Sequence, residues 1–156
     1  MTSSVDPRTD LRSADDPDAL AMADRLRLSA TRLARRLRQE SGTDLTPSQL
    51  SALAAIDRHG PLTLGTLAEV ERVAPPSVTK AVAKLEAEGL VARQTDDADR
   101  RVAWVSLTTA GASRLARIRK RRSVWLATRL AALDDLDRRK LAHALDVLDE
   151  LAADTR

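Results

Sequence analysis

Lys80 and Lys84, one helical turn apart with Ser77 and Thr79 beside them, and Arg100-Arg101 next to Asp99 have the clearest chemical use in this sequence. Ammonium and guanidinium groups neutralise phosphate, hydroxyls hydrogen-bond to phosphate oxygens or base edges, and small neighbours permit close approach. Residues for bond-making chemistry are missing. The chain has no cysteine, which removes disulfides, a thiolate nucleophile and a Cys-based zinc site. His59 and His143 stand far apart without a metal-ligand pattern, so neither a metal nor a cofactor is expected. The five glycines are scattered and form no phosphate loop.

These cations matter only if an element presents them together. Ala74-Pro75-Pro76-Ser77 reads as a helix start, because proline is tolerated in a first turn, and Gly89 ends that helix. At 100° per residue from Val78, the apolar stripe Val78, Val82 and Leu85 lies within about 40° of one direction. Pro76, Lys80, Ala83, Lys84 and Ala87 fall near the opposite pole, with Ser77 and Thr79 on the flanks. The helix acids Glu86 and Glu88 lie at its far end. Leu90 to Gln94 and Val102 to Leu107 read as two short strands, with Thr95 to Arg101 as a charged hairpin tip. There a carboxylate such as Asp96, Asp97 or Asp99 can hold an arginine in one orientation suited to a narrow, electronegative groove. The plainer alternatives are a solvated helix face and a hairpin tip that pairs with itself.

The remaining elements frame this pair. Met1 to Asp18 is expected to be a flexible acidic tail, with five Asp against Arg8 and Arg12. A first helix from about Ala19 to Glu40 carries Leu26, Ala30, Leu33 and Leu37, and Ser41-Gly42 ends it. Thr46-Pro47-Ser48-Gln49 predicts a capping box and a helix that buries Leu50, Leu53 and Ile56 and stops at His59-Gly60-Pro61. Thr63 opens a short helix to about Glu71, with Leu64, Leu67 and Ala68 inward. After the hairpin, Thr108-Thr109-Ala110-Gly111 leads into a long helix to about Leu133. Asp134 caps a last helix bearing Leu141, Leu145 and Leu148. The expected division is tail 1–18, dimerisation helix 19–45, DNA-binding lobe 46–108 and C-terminal dimerisation helices 109–156.

Composition supports a mainly α fold with a small β-hairpin. Hydrophobic residues make up 43% and charged residues 31%, with two Trp and neither Phe nor Tyr, and the many Leu and Ala favour helix over strand. No apolar run approaches the roughly 18 residues of a membrane span. The N-terminus lacks a signal-type hydrophobic stretch, so a cytoplasmic location is expected. The net charge of +3 conceals a local −3 in the first 18 residues, which leaves +6 on the body. With a sequence pI near 9.9, that body suits a polyanion.

Two short helices followed by a β-hairpin form the winged helix-turn-helix pattern. The segment Ser77 to Arg93, with its Leu85-Glu86 and Gly89-Leu90-Val91, is followed by Asp99-Arg100-Arg101 and by Leu107-Thr108-Thr109-Ala110-Gly111. Together they resemble the MarR family of bacterial regulators, over about Ala19 to Leu151. Two positions depart from the family pattern: Asp97 replaces a frequent wing proline, and Pro75-Pro76 replace polar residues at the recognition-helix start. The resemblance implies a DNA-binding homodimer whose termini pair, with one recognition helix and one wing per half-site. The DNA contacts then fall on Pro76, Ser77, Thr79, Lys80, Lys84, Asp99, Arg100 and Arg101, and the dimer contacts on Leu20, Leu141, Leu145 and Leu148.

The Leu-rich outer helices exceed what a winged core of about 60 residues can bury, which also points to a partner copy; an intramolecular bundle is the alternative. The resemblance further implies a small aromatic or anionic effector. Arg25, Arg27 and Arg32 could meet such an anion or simply be solvated, and Trp104 and Trp125 read as core or interface residues. Thiol sensing is excluded by composition. An enzyme and a protein-interaction module are the rival functions, the first lacking any catalytic constellation and the second separable by a DNA-binding assay.

Overall fold

The computed structural model describes residues 16–96, 99 and 102–153. The element order is α1 (Pro17–Glu40), α2 (Pro47–His59), β1 (Leu62–Thr63), α3 (Leu64–Glu71), α4 (Pro75–Ala87), β2 (Val91–Thr95), β3 (Ala103–Leu107), α5 (Thr109–Ala131) and α6 (Asp135–Ala152). The chain divides after Glu40 into two compact units.

In the first unit, α1 starts two residues before the expected point. The carboxylate of Asp16 accepts the amide of Asp18 at 3.0 Å, and Pro17 takes the first helical position, where its missing N–H costs nothing. Residues 17 and 18 therefore belong to the helix, not to a tail. The rest of the tail, 1–15, lies outside the described residues. No residue of α1 is buried within the chain.

The second unit is built around one core. Leu53 and Ile56 of α2, Leu67 of α3, Val82 and Leu85 of α4 and Val105 of β3 are almost completely buried. Leu115 and Ile118 of α5 close the same cluster, and Leu50 and Leu64 pack half-buried at its edge. The inward stripes expected for α2, α3 and α4 are all present.

The helix ends explain why these segments stop where they do. At α2, Thr46 Oγ1 accepts the Gln49 amide at 3.3 Å while Gln49 Oε1 accepts the Thr46 amide at 2.7 Å, the expected capping box. At the end of α4, Gly89 takes φ +67°. The Leu90 amide donates to the Leu85 carbonyl and the Gly89 amide to Glu86, both at 2.9 Å. This is a Schellman closure, with Leu85 and Leu90 both buried beside it. Leu90 thus belongs to the helix exit, and β2 begins at Val91. The turn after α3 closes the same way, but with Arg72 at φ 52° in the left-handed region.

The sheet is three-stranded and antiparallel in the order β1-β3-β2. Its β1 was not anticipated. Two residues carry no readable period, yet Leu62 pairs with Val105 and Thr63 with Trp104. On the other side Gln94 faces Trp104 and Arg93 faces Val105.

Ion pairs fasten α5 to the unit. Arg114 pairs with Asp44, Arg119 pairs with Asp57 of α2 at 2.6 Å, and Arg121 donates to the Gly42 carbonyl at 3.2 Å. Asp134 caps α6 by accepting the Asp137 amide at 2.7 Å. No residue of α6 is buried. No helix among the described residues is long and apolar enough to cross a membrane.

Candidate nucleic-acid interface

The helix α4 buries Val78, Ala81, Val82 and Leu85. Pro76, Ser77, Thr79, Lys80, Ala83, Lys84 and Ala87 are all exposed. The outward face is therefore the one expected from the 3.6-residue period. Its acid at the far end is engaged elsewhere: Glu86 pairs with Arg93 of β2 at 2.9 Å. That ion pair links α4 to the hairpin and offsets negative charge at the helix end.

The first turn of α4 has a chemical peculiarity. Its N-cap is Ala74, with no side-chain cap hydrogen bond, and Pro75 and Pro76 follow. Prolines have no N–H, so the first two positions offer a phosphate no amide, unlike an ordinary helix N-terminus. Ser77 is exposed at the edge of a cavity of about 340 Å³ shared with Ser48 and Ser51 of α2, Glu71 and Val73. Thr79 donates its hydroxyl to the Pro75 carbonyl at 3.0 Å, so toward a ligand it presents an acceptor and a methyl group. Lys80 and Lys84 carry the positive charge of this face.

Beside the helix stands the hairpin of β2 and β3. Arg100, Arg101 and Asp97 lie outside the described residues, and the structure brings the base of their loop into view. The Asp96 amide donates to the Val102 carbonyl and the Val102 amide to the Asp99 carbonyl, both at 2.9 Å. The Asp96 carboxylate accepts the Asp99 amide at 3.0 Å and the Trp104 indole N–H at 2.9 Å. Trp104 is accordingly not a core residue. It is 39% exposed on the sheet face away from Val105, and its indole N–H bonds Asp96.

An exposed cationic helix face and a hairpin projecting from one core make a helix-turn-helix with a wing. The comparisons agree. A family model described as MarR family matches residues 45–103. An HTH-type transcriptional regulator of Mycobacterium leprae is 39% identical over 137 residues, which cover 87% of this chain and 95% of that one. The chain belongs to the MarR family. It is a DNA-binding transcriptional regulator of that family, with the family's winged helix fold. A transcriptional regulator structure from Pseudomonas aeruginosa is similar with a TM-score of 0.80 and 36% identity, covering 88% of this chain and 98% of that one. The HTH-type transcriptional repressor MdtR of Bacillus subtilis is 33% identical over 108 residues, 69% of this chain and 70% of its own.

The family's Leu-Thr-x-x-Gly segment has a physical account here. Thr108 Oγ1 accepts the Gly111 amide at 3.0 Å and donates to the Gly89 carbonyl at 2.7 Å. One hydroxyl thereby joins the start of this MarR protein's α5 to the end of its recognition helix.

Arginines suited to an anion lie elsewhere than α1. There Arg25, Arg27 and Arg32 are exposed, and Arg27 pairs with Asp24 at 3.0 Å. A cavity of about 230 Å³ is instead lined by Arg114, Arg117 and Arg121 of α5 with Ser41, Gly42 and Ile118. Sequence reasoning missed it, because Ser41-Gly42 and α5 are brought together only by the tertiary fold. Further along α5, Arg129 stacks over Trp125 at 3.9 Å.

Proposed function

We propose that this MarR-family protein is a cytoplasmic repressor that binds a pseudo-palindromic operator as a homodimer and is released by a small aromatic or anionic ligand. The observation that carries this reading is the outward face of α4, with no acid near its centre and Lys80 and Lys84 exposed, beside a hairpin whose strands meet at the Asp96–Val102 bond. Lys80 and Lys84 enter the major groove with Ser77 and Thr79, Pro76 packs against the backbone, and Arg100 and Arg101 reach the minor groove, oriented with the help of Asp99. The MdtR similarity favours repression. The arginine-lined cavity beside α5 favours an anionic ligand: among the described residues Arg114 pairs with Asp44, whereas Arg121 bonds a neutral carbonyl and Arg117 adds a third guanidinium. Two half-sites about one helical turn apart fit a two-fold dimer.

The test is fluorescence anisotropy on duplex DNA from the chain's own upstream region across a salt series. If Lys80, Lys84 and Arg100 of both protomers each neutralise one phosphate, log K falls against log salt with a slope of about −5. A flat line overturns the DNA reading in favour of a protein-interaction module. Arg100→Ala is expected to weaken binding on every sequence, most on A·T-rich flanks, by about 1–3 kcal/mol, with the fold retained. Lys80→Ala is expected to lower affinity and reduce the salt slope. Unchanged affinity for Arg100→Ala at low salt would mean that the hairpin tip pairs only with itself.

A further inference from the structure

We infer that the cavity lined by Arg114, Arg117 and Arg121 binds a phosphate dianion, free or as the phosphoryl group of a small ester, and not an aromatic acid. This deepens the ligand-release reading above and rests on it only for the effect on DNA. All six lining residues lie in the unit that follows Glu40. Arg117 is three residues after Arg114 and four before Arg121, so it is a neighbour of both on one face of α5. Ile118, 3% exposed, and Ser41, 1% exposed, are the buried part of the lining.

The opposite wall is shaped for a guanidinium. Gly42 takes φ +57°, and a Cβ there would collide with the Arg121 guanidinium. Glycine thus serves twice, for the left-handed backbone and for the close approach of Arg121. The Arg121 guanidinium donates to the Gly42 carbonyl at 3.2 Å, a neutral acceptor that leaves its positive charge uncompensated. Arg114 pairs with the exposed Asp44.

The lining sets the class of ligand. Among the described residues it contains no carboxylate and no aromatic ring, and Ile118 is its single apolar side chain. An aromatic acid would find no apolar wall for its ring. At about 230 Å³ the cavity also falls below the roughly 300–1,000 Å³ of sites that enclose larger organic ligands. Guanidinium forks match phosphate oxygens two at a time. Three guanidinium groups less the Asp44 carboxylate leave +2, which matches a fully ionised phosphomonoester. A monocarboxylate would neutralise only half of it. A bound phosphate would also compete for Arg114 with Asp44 and for Arg121 with Gly42, and so act on the stretch that leads into the capping box of α2.

The experiment is calorimetric titration of the full-length protein at fixed ionic strength with inorganic phosphate, glycerol phosphate and benzoate, repeated on Arg117→Gln and Lys80→Ala. Arg117 is exposed, so its replacement should leave the melting midpoint unchanged. Phosphate or its ester is expected to bind about ten- to a hundred-fold more weakly to Arg117→Gln, the loss of one charge-assisted contact. Lys80→Ala is expected to bind it as the parent does. Tighter binding of glycerol phosphate than of inorganic phosphate identifies the ligand as an ester, and the reverse order identifies the free ion. Benzoate is expected to bind at least about ten-fold more weakly than either. Three results would each overturn the assignment: no binding of either phosphate, a loss in Lys80→Ala but not in Arg117→Gln, or benzoate binding as tightly. The DNA side is read separately, by anisotropy on the parent with and without phosphate. Phosphate binding that leaves operator affinity unchanged keeps the site and removes ligand release from the proposed function. Phosphate binding by a chain that does not bind the operator keeps the site and overturns the DNA reading.

Discussion

Gly111→Ala is expected to destabilise the protein by about 2–4 kcal/mol, although alanine is the better helix former by about 1 kcal/mol. Gly111 sits in the first turn of α5. A Cβ built there would lie 1.9 Å from the Leu90 carbonyl oxygen, 2.9 Å from its carbon and 3.2 Å from Leu107 Cδ2. The nearest obstacle is backbone, which cannot rotate away as a side chain can. That carbonyl is also held in place, accepting the Thr108 amide at 3.1 Å, while the Leu90 amide completes the closure of α4. Relief requires α5 to move off the recognition-helix exit, and overpacking of this kind costs about 1–3 kcal/mol, occasionally more. Urea unfolding followed by circular dichroism measures it as a lowered midpoint at constant slope. Thr108→Val, which removes the hydroxyl shared by Gly89 and Gly111, is expected to act in the same direction by about 1 kcal/mol. A raised midpoint for Gly111→Ala would mean that α5 does not approach Leu90 so closely.

Local signals in this chain were legible and distant ones were not. Thr46 to Gln49, Thr108 to Gly111 and Asp134 to Asp137 each span three residues, and each capping bond is formed. The same logic applies to Asp16-Pro17, where the acidic composition of the preceding stretch masked a cap. The outward face of α4 followed from its period, so Ser77, Lys80 and Lys84 could be placed from the sequence. Arg72 could not be foreseen in the left-handed region, because glycine or asparagine usually marks such a turn. The pairs Arg114–Asp44 and Arg119–Asp57 join residues 70 and 62 positions apart, beyond any periodicity. Trp104 needed the strand register. Only once Gln94 is set opposite it does Asp96 become its neighbour, whereas the sequence suggested a core or interface residue.

Replacing Leu145 and Leu148 together with Asp is expected to convert the proposed homodimer into a folded monomer. In the single chain Leu145 is 51% exposed, and α6 also exposes Leu136, Val147 and Leu151; Leu141 and Leu148 are half-buried. On α1, Leu20 at 53% and Met22 at 71% are exposed, as are Leu26, Leu28 and Leu33. Scattered apolar residues on a surface need no explanation, but two entire helices without one buried residue do. A second copy that covers them gains roughly 1.5–3 kcal/mol for each leucine fully removed from water. An Asp in that seam would be desolvated without a partner, at several kcal/mol per site. In the monomer the same carboxylate stays in water, so helix content should survive. Light scattering at micromolar concentration should then report half the parent mass with an unchanged far-ultraviolet spectrum. Operator affinity should fall more than a hundred-fold, because each protomer loses the high effective concentration its partner provides at the second half-site. A parent chain that is already monomeric at that concentration removes the homodimer from the proposed function. A double variant that remains dimeric places the seam elsewhere than on Leu145 and Leu148.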